Sequence, residues 1–161
     1  MDYLWSPWRF SYLTAANKPE GCIFCAMAAD TGHDEQWLVV FRGQHNFLVL
    51  NRYPYTSGHL MIVPYKHCAD LAGISAEAAA ELMELTRAAE KRLGVLYRPH
   101  GLNIGMNLGE SAGAGIAGHI HMHVVPRWTG DANFMSVTGE TRVLPEELGV
   151  TWKRVRAAFA V

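Results

Sequence analysis

HIHMHVVPRW, residues 119–128, sets three histidines at alternate positions and runs straight into Val-Val-Pro-Arg-Trp. A two-residue period belongs to a strand, whose side chains alternate between faces. His119, His121 and His123 are therefore expected on one face, and Ile120, Met122 and Val124 on the other. The apolar set would pack under a helix. The imidazoles would stand on the outer side, roughly 6 to 7 Å apart. Such a scaffold orders the side chains before any ligand arrives, as a reaction site requires. A solvated face tolerates one histidine readily. Three in register, next to the small-residue run GESAGAGIAG (109–118), point to chemistry.

Working outward, WLVVFR (37–42) and NFLVL (46–50) predict two strands around a Gly43-Gln44-His45 turn, a hairpin. Pro54 and Gly58 punctuate the way into a third strand, HLMIVP (59–64). Ser75 is placed to cap a helix whose apolar face is Leu82, Leu85, Ala89 and Leu93, ending at Gly94. GLNIGMN (101–107) alternates Leu102, Ile104 and Met106 with polar or small residues, a half-buried strand. Residues 145–159 predict a terminal helix with Leu148, Trp152, Val155 and Phe159 on one face. The order of strands, helix, strands and helix fits an α+β fold: an antiparallel sheet with a long helix and a C-terminal helix on one face. Residues 1–161 read as one domain. Residues 1–21 form an aromatic arm with Trp5, Trp8, Phe10 and Tyr12, which calls for burial.

The chain has 161 residues and a formal net charge of −1, with 50% hydrophobic and 18% charged residues. That balance offers no basic footprint for a nucleic-acid polymer, yet leaves room for a small phosphate ligand held by local donors. No apolar run approaches the ~18 residues of a membrane span. The first residues have no secretory pattern, so the expected location is cytoplasmic. Three cysteines cannot all pair. Cys22 and Cys25 stand at metal-ligand spacing. A redox motif or two buried thiols are the competing readings, the first lacking its strand-to-helix context.

The sequence resembles the histidine triad family from DYLWSPWR and CIFC through GHLMIVPYKH to HIHMHVVPRWTGDANFM. It is similar in particular to the bacterial branch that includes diadenosine tetraphosphate phosphorylases. The resemblance implies a homodimer of α+β subunits that binds an adenine nucleotide or dinucleoside polyphosphate and breaks a bond at the α-phosphate. It implies that His121 is the nucleophile, forming a covalent nucleotidyl-histidine, and that His123 donates to a phosphate oxygen. Neutral imidazole is a good nucleophile near pH 7. Its other ring nitrogen needs a fixed partner, expected to be a backbone carbonyl. Asn107 and the amides of Gly113, Ala114 and Gly115 would then cradle phosphate. Several triad proteins carry serine three residues before the first histidine, where this chain has Ile116; Ser111 is a weak replacement. An acidic residue is expected at position 118, which is Gly118.

The resemblance also implies that His67 and His119 complete a structural zinc site with Cys22 and Cys25, stapling the arm to the sheet. That divides the triad: His119 structural, His121 chemical, His123 supporting. No organic cofactor is expected. Cys68 is a core thiol, and His33, His45, His59 and His100 read as surface or hydrogen-bonded residues. Val39, Phe41 and Leu48 are grouped candidates for an apolar base pocket. Trp128 would stack on a second base or support the rim, with a core tryptophan as the equal alternative, and Trp5 and Trp8 would border the site. The expected reaction is phosphorolysis of diadenosine tetraphosphate to ADP and ATP. The alternatives are a hydrolase releasing AMP, from a dinucleoside polyphosphate or a phosphoramidate, and a non-catalytic nucleotide-binding protein.

Overall fold

Short β-rich runs separated by turn residues pair where a tight turn brings them together. In the computed structural model the described residues are 21–131 and 146–160. β1 (Val39–Arg42) and β2 (Asn46–Leu50) form the expected hairpin, closed by a Gly43 N–H to Asn46 O bond of 2.8 Å. β2 pairs antiparallel with β3 (Leu60–Pro64) from Asn46–Pro64 to Leu50–Leu60. β4 (Gly101–Gly105) and β5 (Met122–Arg127) pair antiparallel, and β5 returns beside β3, giving the order β1-β2-β3-β5-β4. Every residue of β2 and β3 is buried, because the two strands are covered on both faces.

Among the described residues, two short helices precede β1: α1 (Ile23–Ala29) and α2 (Asp34–Trp37). Trp37 thus belongs to a helical turn and not to the strand. Leu38, with φ 63°, ends that turn, and the Trp37 indole donates to Asp30 at 2.9 Å. Arg42 fixes α1 from the sheet side. Its guanidinium donates to the Met27 and Asp30 carbonyls, both at 2.9 Å, at the helix end where carbonyls lack partners.

α3 (Ala76–Tyr97) starts as expected, with Ser75 accepting from the Ala78 N–H, and buries Ala78, Leu82, Thr86, Ala89 and Leu93. It passes through Gly94 and stops at Arg98, whose φ is 46°. Glycine inside a helix costs about 1 kcal/mol relative to alanine. Here the buried Leu93 and the anchored Tyr97 on either side of it outweigh that. The helix ends instead before Pro99, which disfavours helical backbone in the residue preceding it.

α4 (Leu148–Phe159) buries Thr151, Trp152, Val155 and Phe159, and its Trp152 indole donates to Val39 O at 2.9 Å. The expected start at Pro145 lies outside the described residues. α3 packs on β2, β3 and β5, α4 packs on β1, and the two helices touch, so both cover one sheet face. β4 is an edge strand. Its Ile104, expected to be half-buried, is 44% exposed for that reason. No helix among the described residues is long and apolar enough to cross a membrane.

Candidate functional site

The ladder between β3 and β5 begins at Met122, so His119 to His121 form an extended approach, tied to the core by an Ile120 N–H to Cys68 O bond of 2.7 Å. The histidines do not stand on an outer face. His119 is 0% and His121 6% exposed. The cover is α1, whose Phe24 meets the His119 ring edge-on at 5.4 Å and the His121 ring at 5.0 Å. A seven-residue helix without two full turns of periodicity leaves no clear sequence signal.

Hydrogen bonds fix the tautomer of each ring, and that of His121 is opposite to those of His119 and His123. His119 Nε2–H donates to the Pro64 carbonyl at 2.9 Å, which leaves Nδ1 its lone pair. His121 does the reverse: Nδ1–H donates to the His119 carbonyl at 2.9 Å, and Nε2 keeps the lone pair. His123 is set through His59. The Tyr55 N–H donates to His59 Nδ1 at 3.2 Å, so neutral His59 carries its proton on Nε2. That proton goes to His123 Nδ1 at 2.9 Å, and His123 Nε2 is left as the N–H donor. His121 and His123 lie 4.7 Å apart between ring centroids, one a lone pair and the other a donor.

His59 was therefore under-read in the sequence. It is fully buried and hydrogen-bonded, as one of the two expectations allowed, yet it sets the proton on His123. The only signal for it is a histidine at the start of a strand, one residue after a turn glycine. Burial pushes His121 below the usual imidazole value of 6.5, against the pull of the His119 carbonyl. Burial, then the neighbouring His121, pushes His123 down to about 4. Both rings are neutral near pH 7.

Cys22, Cys25, His67 and His119 converge at the start of α1, with all four ligand atoms within 4.8 Å of one another. Cys22 Sγ lies 3.3 Å from His119 Nδ1, Cys25 Sγ 3.3 Å from His67 Nδ1, and Cys25 Sγ 3.7 Å from His119 Nδ1. Around a tetrahedral zinc, with sulfur at about 2.3 Å and nitrogen at about 2.05 Å, such neighbours lie about 3.6 Å apart. Both thiols are free, and burial followed by Cys22 pushes the Cys25 thiol up. A divalent cation reverses that preference by binding the thiolate. The cluster is positioned for metal coordination. His119 Nε2–H on Pro64 O is the kind of outer contact that orients a metal-bound imidazole.

The loop between β4 and β5 carries the expected phosphate residues. Asn107 follows β4, and its Nδ2 donates to Gly113 O at 3.5 Å. Gly113, with φ 89°, gives its N–H to Glu110 O at 2.9 Å, and Ala114 N–H goes to Gly109 O at 3.3 Å. Two of the three amides thus hold the loop itself. Gly115 N–H has no acceptor among the described residues. Ile116 packs against the core, and exposed Ser111 lies in a 3₁₀ turn. A side chain at Gly118 would meet the His67 ring at 3.8 Å, so the acidic residue expected there would face that ligand.

Val39 and Leu48 are 0% exposed and Phe41 packs toward Phe159, so these three form core and not a ligand pocket. Trp128 lies five residues beyond His123, about 16 Å along an extended chain. Its N–H donates to Asp131 at 3.1 Å. Cys68 is half-buried with its thiol pushed up by burial. His33 pairs with Asp30 and His100 with Thr129 at the surface, while the backbone N–H of half-buried His45 donates to Glu81. Trp5 and Trp8 lie outside the described residues.

Alternating histidines at the end of a five-stranded antiparallel sheet, a glycine-rich loop before them and two helices on the opposite face define a class. The chain belongs to the HIT domain family, whose pattern matches residues 34–130. Among particular relatives, it is 42% identical over 166 residues to a protein of Mycobacterium tuberculosis named AP-4-A phosphorylase, covering 99% of this chain and 85% of that one. The fold matches a zinc-bound histidine triad family protein from Mycobacterium smegmatis with TM-score 0.70 and 27% identity, over 87% of this chain and 94% of that one. It also matches a hypothetical histidine triad nucleotide-binding protein from Sulfolobus tokodaii with TM-score 0.68 and 23% identity, over 86% and 92%.

Proposed function

We propose that this protein cleaves dinucleoside polyphosphates by nucleotidyl transfer through His121, with inorganic phosphate as acceptor, as a diadenosine tetraphosphate phosphorylase. The observation that carries the reading is the 2.9 Å bond that commits His121 Nδ1–H to a backbone carbonyl and leaves Nε2 an unprotonated nucleophile. In the first step the Nε2–phosphorus bond forms and the bond from the α-phosphorus to the leaving oxygen breaks, releasing ATP from diadenosine tetraphosphate. His123 Nε2–H donates to an oxygen of the phosphate chain as charge builds there. In the second step a phosphate oxygen attacks, the N–P bond breaks and ADP leaves. Asn107 and the Gly115 amide hold non-bridging oxygens, and Trp128 supports the rim.

Cys22, Cys25, His67 and His119 would hold a zinc ion in a structural part. Bound there, it would fix α1, and so Phe24, against the reacting ring. The protein acts as a homodimer through the edge of β4, beside a shallow groove lined by Gly94, Val95, Gly101 and Leu102. Free thiols and a nucleotide substrate suit the cytoplasm.

Water in place of phosphate would make the enzyme a hydrolase with the same first step. The 42% identity to a protein of M. tuberculosis named AP-4-A phosphorylase supports phosphate as the acceptor. Product analysis with phosphate varied tests the choice. ADP and ATP, formed only with phosphate, are expected; AMP formed at a rate indifferent to phosphate would overturn it. His121→Ala is expected to abolish nucleotide transfer and retain nucleotide binding, whereas near-normal turnover removes His121 as nucleophile.

A further inference from the structure

The turn that brings His59 to His123 is held more from outside than from within. Thr56 ties its start to β5, donating its hydroxyl to Pro126 O at 2.7 Å. The N–H groups of Asn51 and Tyr55 donate to His59, but both come from the loop before the turn. Between these points the turn offers little of its own. Ser57 and Gly58 are buried, yet Ser57 Oγ has no partner among the described residues, and Gly58 stands at φ +79° without a side chain. The bond that closes the turn, His59 N–H to Thr56 O, is long at 3.3 Å. What fixes Gly58 is α3. A Cβ there would lie 3.0 Å from Tyr97 Cε2, 3.2 Å from Tyr97 Cδ2 and 3.4 Å from Leu93 Cδ2, so those two side chains fill the place where its own would stand.

Tyr97 closes α3, and a helix terminus frays unless something holds it. Here α4 and the residues leading into it do so. The Tyr97 hydroxyl donates to Glu146 Oε2 at 2.6 Å, and Thr151 Oγ1 donates to the same oxygen at 2.7 Å. The Arg154 guanidinium lies 4.8 Å from the ring centroid, pairs with the other Glu146 oxygen and donates to Leu96 O at 3.3 Å. A cation over the ring and a charge-assisted bond at its tip both restrain it. Burial, followed by the bond to Glu146, pushes the phenol above its usual 10, so it stays a donor. The contacts run from Glu146 through Tyr97 and Gly58 to His59, joining α4 to the reaction centre.

We propose that Tyr97 is a positioning residue, whose ring keeps Gly58 and His59 where His59 Nε2–H meets His123 Nδ1. This rests on the nucleotidyl-transfer reading above, in which His123 Nε2–H serves the phosphate chain. The 2.9 Å bond from His59 leaves His123 that one nitrogen as donor and restrains the tilt of its ring. Rate falls steeply when such a group moves, and a misplacement of about 1 Å can cost about 100-fold. Tyr97 acts only through Gly58 and His59, so its loss should slow the chemical step and spare substrate binding.

The test assays the full chain as wild type, Tyr97→Leu and Tyr97→Phe, with diadenosine tetraphosphate as substrate and solvent exchange of the His59 ring proton followed by magnetic resonance. Tyr97→Leu should lower kcat by roughly 10- to 100-fold with KM within about twofold. It should speed exchange of the His59 Nε2 proton by roughly 2- to 12-fold, the worth of one hydrogen bond. The Trp152 indole proton, buried on Val39 O, reports general loosening and should stay within about twofold. Tyr97→Phe keeps the ring against Gly58 and beneath Arg154, and should retain kcat within about threefold. Unchanged kcat in folded Tyr97→Leu, a loss in KM alone, or equal acceleration at Trp152 overturns the proposal. Should Tyr97→Leu lack the wild-type circular dichroism, Tyr97→Phe combined with Arg154→Met loosens the ring without removing it, and wild-type kcat there overturns the proposal too. Absence of any cleavage by the wild-type protein would instead defeat the nucleotidyl-transfer reading, while ring-proton exchange, which needs no substrate, would still decide the role of Tyr97.

Discussion

Gly58 offers a quantitative test of how the fold sets the site. Its φ is +79°, and a Cβ there would lie 3.0 Å from Tyr97 Cε2 and 3.2 Å from Cδ2. Left-handed backbone costs a residue other than glycine about 1 to 2 kcal/mol. The ring cannot yield cheaply, because Tyr97 donates its hydroxyl to Glu146 at 2.6 Å and lies under the Arg154 guanidinium at 4.8 Å. Displacing it adds a cost on the order of 1 to 2 kcal/mol. Gly58→Ala should therefore lose about 2 to 4 kcal/mol, lowering Tm by about 4 to 16 °C for a chain of this size. Thermal and urea unfolding measure it. In a Tyr97→Ala background the steric part is gone, and the added loss from Gly58→Ala should shrink to the backbone part. Because Gly58 leads directly into His59, turnover should fall as well. A Tm within 2 °C of wild type, or an equal loss in both backgrounds, would refute the collision argument.

Three further outcomes follow from the same structure. Cys22→Ser should weaken zinc binding by at least ~100-fold, more than loss of an outer-shell partner does, and destabilise the fold; metal analysis finding full occupancy would contradict the cluster. His123, at about 4 when folded against an ordinary 6.5, takes up a proton first in the unfolded chain. Its stabilising contribution is thus complete above about pH 6.5 and lost as pH falls towards about 4, so urea midpoints of His123→Gln should slope less steeply there, and parallel slopes would reject the assignment. Ile104→Lys places a charge on the exposed edge strand and should leave a monomer by light scattering with its far-ultraviolet circular dichroism unchanged; a persisting dimer would move the interface elsewhere.

Much of this protein was legible in one dimension. The β1–β2 hairpin, the stripe on α3 and the apolar face of α4 were local patterns, because a strand repeats every two residues and a helix every 3.6. The Cys22–Cys25 pair was visible by spacing, and the resemblance supplied His67 and His119, now within reach of both thiols. Local pattern misjudged three elements. Trp37 went to a helical turn, α3 ran past Gly94, and Ile104 became exposed at an edge, each decided by what packs alongside.

The sequence by itself determined that three histidines would alternate with apolar residues along one extended stretch, since alternation is a property of the backbone alone. Tertiary structure decided which nitrogen of each ring carries the proton and how far each ring is from water. Those depend on the carbonyl of Pro64, the imidazole of His59, 64 residues from His123, and the ring of Phe24 on α1. Hydrogen bonding and desolvation act through space, so contacts between distant segments settle the chemistry of a residue that periodicity can only place.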